Sequence, residues 1–136
     1  MKSISTLLMA LCCLVCAQFS SAQVFIPDQL ERDWLNAEIP GLVDANGIMD
    51  TLHPMIAQFD SASFHFNEGS TDLIHFVGVS YLDSLVSMWL SAHNANSMIM
   101  EPMPDALRSL SITGDIVSIQ LLGLPRKMDD IWASGF

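Results

Sequence analysis

From residue 60 onward, apolar positions recur in short groups rather than in the 3.6-residue rhythm of a helix. Four rows can be written beneath one another: SASFHFNEG from Ser61, LVSMWLSAH from Leu85, LRSLSITGD from Leu107 and MDDIWASGF from Met128. Their starts lie 24, 22 and 21 residues apart. Three rows are apolar at the first, fourth and sixth places: Leu85/Met88/Leu90, Leu107/Leu110/Ile112 and Met128/Ile131/Ala133. The first row keeps Phe64 and Phe66 but has Ser61 at its first place. Alternation across the later places predicts a short strand with one face inward. A single row cannot bury its own apolar face, so the rows are expected to stack as parallel strands around a shared core. The returns between them hold Pro102, Pro104 and Pro125, which favour extended or turn-like backbone over a regular helix.

Upstream the pattern changes. In VFIPDQLERDWLNAEIPG, Asp28 and Glu31 have capping-box spacing, Leu30, Trp34 and Leu35 share one helical face, and Pro40-Gly41 ends the helix. Asn46-Gly47 marks a turn, and Met55, Ile56 and Phe59 predict a second short helix begun near Pro54. Two such helices are too small to form a domain alone, so they are expected to cover one end of the stacked rows.

The first 22 residues have a different purpose. Lys2, the apolar run Leu7 to Ala17 and the small residues Ser20-Ser21-Ala22 read as a secretory signal peptide cleaved before Gln23, and the run is too short for a membrane span. Cys12, Cys13 and Cys16 would all leave with it, so disulfides, thiol catalysis and cysteine-ligated zinc are not expected in the exported chain. The expected organisation is therefore residues 1–22 as signal peptide, 23–59 as N-terminal helical cap, and 60–136 as about three and a half irregular repeats. A secreted or cell-surface location follows from the leader, and no later segment is long enough to span a bilayer.

The row spacing falls within the range of about 20 to 29 residues typical of leucine-rich repeats, whose template is L-x-x-L-x-L-x-x-N/C-x-L. Three passages carry a fuller resemblance: IPDQLERDWLNAEIPGLVDANGIMDTLHP as a cap, STDLIHFVGVSYLDSLVSMWL as the passage into a repeat, and MPDALRSLSITG with LPRKMDDI as Pro-led repeat starts. Together they cover most of residues 24 to 136, and the chain resembles the N-terminal end of secreted bacterial leucine-rich-repeat proteins. The resemblance implies an α/β fold: a short solenoid with a stacked parallel β-sheet and a helical N-terminal cap, used for binding. Where the template has Asn, the rows have Gly69, His93, Asp115 and Phe136, which predicts irregular turns. The last row runs to the final residue with no polar cap, so the repeat region is expected to be truncated or part of a larger protein.

The row register also predicts which side chains face solvent. The third, fifth and seventh places give the columns Ser63, Ser87, Ser109, Asp130; then His65, Trp89, Ser111, Trp132; then Asn67, Ser91, Thr113, Ser134. Two tryptophans and a histidine on a surface of hydroxyls and amides form a shallow aromatic and polar face, with the first two columns as the expected binding residues. A one-residue slip would instead put Trp89 and Trp132 in the core.

Other chemistry finds little support. Without the leader, four basic residues stand against fifteen acidic ones, a formal charge of −11 that disfavours nucleic acid and anionic lipid. In DANGIMD, Asp44 and Asn46 fit the first and third places of a calcium loop, but Ile48 and Met49 occupy the fifth and sixth, and a simple turn explains the segment better. The four histidines form no H-x-x-x-H or H-E-x-x-H arrangement, and there is no G-x-S-x-G elbow or glycine-rich phosphate loop. The expectation is a secreted, non-enzymatic module without metal or cofactor that binds a protein or glycan partner. Its alternatives are the capping part of a larger exported protein and, with no motif in its favour, a small secreted hydrolase.

Overall fold

The computed structural model describes residues 23–66 and 74–135, so residues 1–22, expected as a signal peptide, and Asn67, Gly69 and Phe136 lie outside the described residues. The fold is mixed α/β, with one α-helix among the described residues and a curled parallel sheet. In chain order the elements are β1 (Gln23–Phe25), α1 (Gln29–Glu38), β2 (Ile48–Asp50), β3 (Ser61–Phe66), β4 (Ile74–Phe76), β5 (Ser87–Met100), β6 (Ser109–Leu121) and β7 (Asp130–Ser134). Strands β3, β5, β6 and β7 neighbour one another in that order, and β4 pairs in parallel with the far half of β5.

Helix α1 starts where the Asp28 carboxylate accepts the N–H groups of Leu30 (2.8 Å) and Glu31 (3.4 Å), two of the donors a helix start leaves unpaired. The second expected helix is present only as a short 3₁₀ segment. Residues Ile56–Gln58 make a single 3₁₀ turn with Ile56 buried and Met55 exposed, because one apolar anchor cannot drive a longer amphipathic helix. The cap contains instead a small antiparallel pair, β1 with β2. Asn46-Gly47 does turn the chain: Gly47 has φ +80°, and the Asp44 carboxylate accepts the N–H groups of Asn46 (2.9 Å) and Ile48 (2.8 Å). Those bonds hold the exposed Asp44 carboxyl below its usual range, the Ile48 bond contributing most.

In the last three rows the strand register is the one their apolar triplets predict. Ser87 pairs with Ser109 and Asp130, Trp89 with Ser111 and Trp132, and Ser91 with Thr113 and Ser134. The first row differs by two residues: Ser61 stands beside Ser87, Ser63 beside Trp89 and His65 beside Ser91. Its apolar triplet is therefore Phe59, Ala62 and Phe64. A slip of two preserves which face each side chain occupies, so the face is unchanged while every partner moves along by one place. The backbone confirms the phase. The Asp60 carbonyl accepts Val86 N–H (2.7 Å) and Ser87 N–H (3.1 Å), the Val86 carbonyl accepts Arg108 (2.8 Å) and Ser109 (3.1 Å), and the Arg108 carbonyl accepts Asp129 (2.8 Å) and Asp130 (3.0 Å).

Strands β5 and β6 run past the predicted short segment. A register shift between Ala92 and Ala95 absorbs one extra residue in β5, after which Met98 and Met100 pair with Ile119 and Leu121 on β6 and with Ile74 and Phe76 on β4. At this irregularity Gly114 has φ +124°, and a Cβ there would lie 1.8 Å from the Ala92 carbonyl oxygen, so only glycine fits. The Pro-containing returns hold no α-helix among the described residues, in line with their composition.

Cap and sheet share one core. Ile26, Leu35, Ile39, Met49, Phe64, Phe76, Leu85, Leu90, Leu107 and Leu110 are all buried in it. Trp34 meets Phe64 edge-on at 5.1 Å and Phe76 at 6.5 Å, and these two rings meet at 5.0 Å, so three aromatic rings join the helix to the sheet. The Trp34 indole N–H also donates to the Ser63 carbonyl (3.1 Å), occupying an acceptor on the outer edge of β3.

Candidate functional site

The alternation that buries Ala62, Phe64, Met88, Leu90, Leu110 and Ile112 sends their neighbours to the opposite face of the sheet. Trp89 is 52 % and Trp132 59 % exposed there, both in one column with Ser63 and Ser111. Strands in a sheet lie about 4.8 Å apart, so the two indoles, separated by β6, stand roughly 9.6 Å apart at the backbone with only the small Ser111 between them. Hydroxyls flank this column on both sides, with Ser61, Ser87 and Ser109 before it and Ser91, Thr113 and Ser134 after it.

At the β3 end this surface deepens into an open cleft of about 560 Å³, lined among others by Ser63, Ser87, Trp89, Ser109 and Ser111. Asp130, Trp132 and His65, the other expected binding residues, lie outside that lining. Asp130 and Trp132 extend the same columns onto β7. His65 stands beside Ser91 rather than Trp89 because of the two-residue slip, yet its ring meets the edge of the Trp89 indole at 5.8 Å. Ser63, expected beside Ser87, stands beside Trp89 for the same reason.

Ser63 Oγ and His65 Nε2 lie 2.9 Å apart on the exposed face. Nucleophilic catalysis by such a pair needs a third group to orient the imidazole and donors for the developing oxyanion. Among the described residues no carboxylate lies within ion-pair distance of His65, and the carboxylates that do pair with histidine do so elsewhere, Glu101 with His75 (2.9 Å) and Asp115 with His93 (3.6 Å). The Ser63–His65 contact is one that residues two apart in sequence, and so on the same strand face, make.

Two acidic residues take places that local spacing does not predict. Glu38, the last residue of α1, lines the cleft and adds a carboxylate to its rim of hydroxyls. Its place depends on how the helix docks on the sheet, which no local signal encodes. Glu31 has the spacing to close a capping box with Asp28, and the structure gives its carboxylate other partners. Its side chain is fully buried and its carboxylate accepts three backbone N–H groups, from Val77 (2.9 Å), Gly78 (2.7 Å) and Val79 (3.3 Å), at the start of a 3₁₀ turn. Burial pushes the Glu31 carboxyl up to about 7, and the three N–H groups pull against that rise. Room for it depends on Gly78, where a Cβ would come within 2.7 Å of the Leu35 side chain and 3.2 Å of Glu31 itself.

Among the described residues, no group of three or more His, Cys, Asp or Glu side chains is arranged to hold a metal ion. No helix among them is long and apolar enough to cross a membrane. The chain matches no protein-family model, no curated protein and no solved structure at a significant level.

Proposed function

We propose that this chain is a secreted, non-enzymatic recognition module in which leucine-rich-type repeats stack into a short solenoid and present the open sheet face to a protein or glycan partner. The observation that carries this reading is the pair Trp89 and Trp132, half exposed in one column while the alternate residues Leu90 and Leu110 of neighbouring strands are fully buried. Exposing two indoles to water forgoes a large hydrophobic gain, and aromatic side chains held on rigid strands are typical binding anchors. The repeat reading is supported by the corrected phase, in which the first row spells F-x-x-A-x-F-x-x-N from Phe59 to Asn67, closer to the leucine-rich template than the row begun at Ser61. Export rests on the signal-peptide pattern of the first 22 residues.

The test compares the wild-type chain with a Trp89→Ala/Trp132→Ala double variant on arrays of extracellular proteins and glycans. Ligands of the wild type should be lost by the variant while its circular dichroism and thermal midpoint stay unchanged. Ligands that bind both equally would overturn the sheet-face reading. Mass spectrometry of the exported protein should find Gln23 at its N-terminus.

A second reading, the capping part of a larger exported protein, draws on β7. Ile131 belongs to the inward column of Ala62, Met88 and Leu110 yet is 50 % exposed, and a further strand outside β7 would bury it.

A further inference from the structure

We propose that the ligand of the sheet face is an uncharged, extended polysaccharide lying across the strands from β5 to β7, with Trp89 and Trp132 stacked on two sugar rings and a third ring between them over Ser111. This inference rests on the sheet-face reading and names the chemistry that face would recognise. The spacing points to it first. Two strand separations, roughly 9.6 Å, match the disaccharide repeat of a straight, equatorially linked sugar chain, so rings one and three of such a chain fall over the two indoles. Ser111, in the same column, is small enough to let the middle ring pass.

The composition of the face points the same way. A pyranose has an apolar face of C–H bonds and a rim of hydroxyls, and it is matched by an aromatic plane flanked by groups that both donate and accept. Ser87 and Ser109 lie on one side of the tryptophan column, Ser91 and Thr113 on the other, and each hydroxyl can donate one hydrogen bond and accept two. A protein hot spot would call for a desolvated apolar surround, which this column lacks. Charge then narrows the class. The carboxylates of Glu38 in the cleft lining and Asp130 in the flanking column can accept hydroxyl hydrogens, but with the −11 charge of the exported chain they repel sulfated and uronic-acid polymers.

The experiment is titration of the full chain, freed of its leader, with β-1,4-linked glucose and N-acetylglucosamine oligosaccharides of one to six rings, read by tryptophan fluorescence and calorimetry, with heparin fragments alongside. Affinity should step up between two and three rings, when both indoles are first engaged, by at least about tenfold, as expected for gaining a second anchor. Trp132→Ala should abolish the step while leaving weak binding at Trp89, and heparin should not bind. Absence of oligosaccharide binding, a smooth rise without a step, a step retained in Trp132→Ala, or preference for heparin would each overturn the proposal. If no oligosaccharide binds but the double tryptophan variant loses a protein ligand, the glycan assignment fails and the sheet-face reading stands.

Discussion

At the β3 edge of the sheet, helix α1 lies against the strand, Trp34 occupies the Ser63 carbonyl, and the inward residues Ala62 and Phe64 are 6 % and 2 % exposed. At the β7 edge the residues in the same two inward columns, Ile131 and Ala133, are exposed. The two strands have the same alternation and the same pairing geometry. Among the described residues, the difference that matters is that an element packs against the outer side of β3 and none against that of β7. Burial in a stack of rows is supplied by neighbours, so a residue's inward direction earns stability only where both flanks are filled. The strand pattern sets direction, and the cap turns direction into burial.

This contrast can be broken first at the covered edge. Trp34→Ala removes two aromatic contacts and the indole bond to β3, and should cost about 3 to 5 kcal/mol of unfolding free energy in urea melts. A cost below about 1 kcal/mol would show that the helix merely rests on the sheet.

Next comes the buried carboxylate that fixes the same helix. Its folded pKa of about 7 exceeds the ordinary value of 4.5, so between these the native state holds more protons than the unfolded chain and stability falls as pH rises. The contribution, about 3 kcal/mol, is fully present below pH 4.5 and lost as pH climbs through 7. Glu31→Gln should flatten that slope in a series of denaturation curves, and an unchanged slope would show that Glu31 is ionised throughout.

A smaller effect is expected in the middle of the stack. Gly114→Ala combines φ +124° with a clash against the Ala92 carbonyl and should cost about 2 to 3 kcal/mol. The smallest belongs to the open edge: Ile131→Ala should cost less than about 1 kcal/mol, whereas Leu110→Ala, the fully buried residue beside it in the same column, should cost about 2 to 5. Equal costs at the two positions would mean that the β7 edge is covered in solution.

How much of this was legible beforehand depended on the reach of each signal. Helix α1 and its Asp28 cap were, because a cap and a 3.6-residue face are local. The register of the last three rows was, because Leu85, Leu107 and Met128 anchor them unambiguously. The first row was misplaced because Phe64 and Phe66 both fit a period of two, and a two-residue slip leaves the pattern of faces intact. The second halves of β5 and β6 were missed because Met98-Ile99-Met100 is a continuous apolar run with no alternation to read. Of the binding face, the composition of the columns was legible, and the partners of Ser63 and His65 were not. Glu38 gave no signal and Glu31 read only as a capping-box residue, because what surrounds them comes from the sheet and from residues 77–79, far along the chain.

The Glu31 bonds reach across 46 to 48 residues, and that distance sets an order in time. Synthesis completes the segment of α1 well before Val77, Gly78 and Val79 exist, so the helix must wait with its acid group hydrated until β3 and β4 have followed it. The element that closes one end of the molecule is thus made early and fastened late. A nascent chain halted before residue 77 would carry the cap's sequence without its fastening.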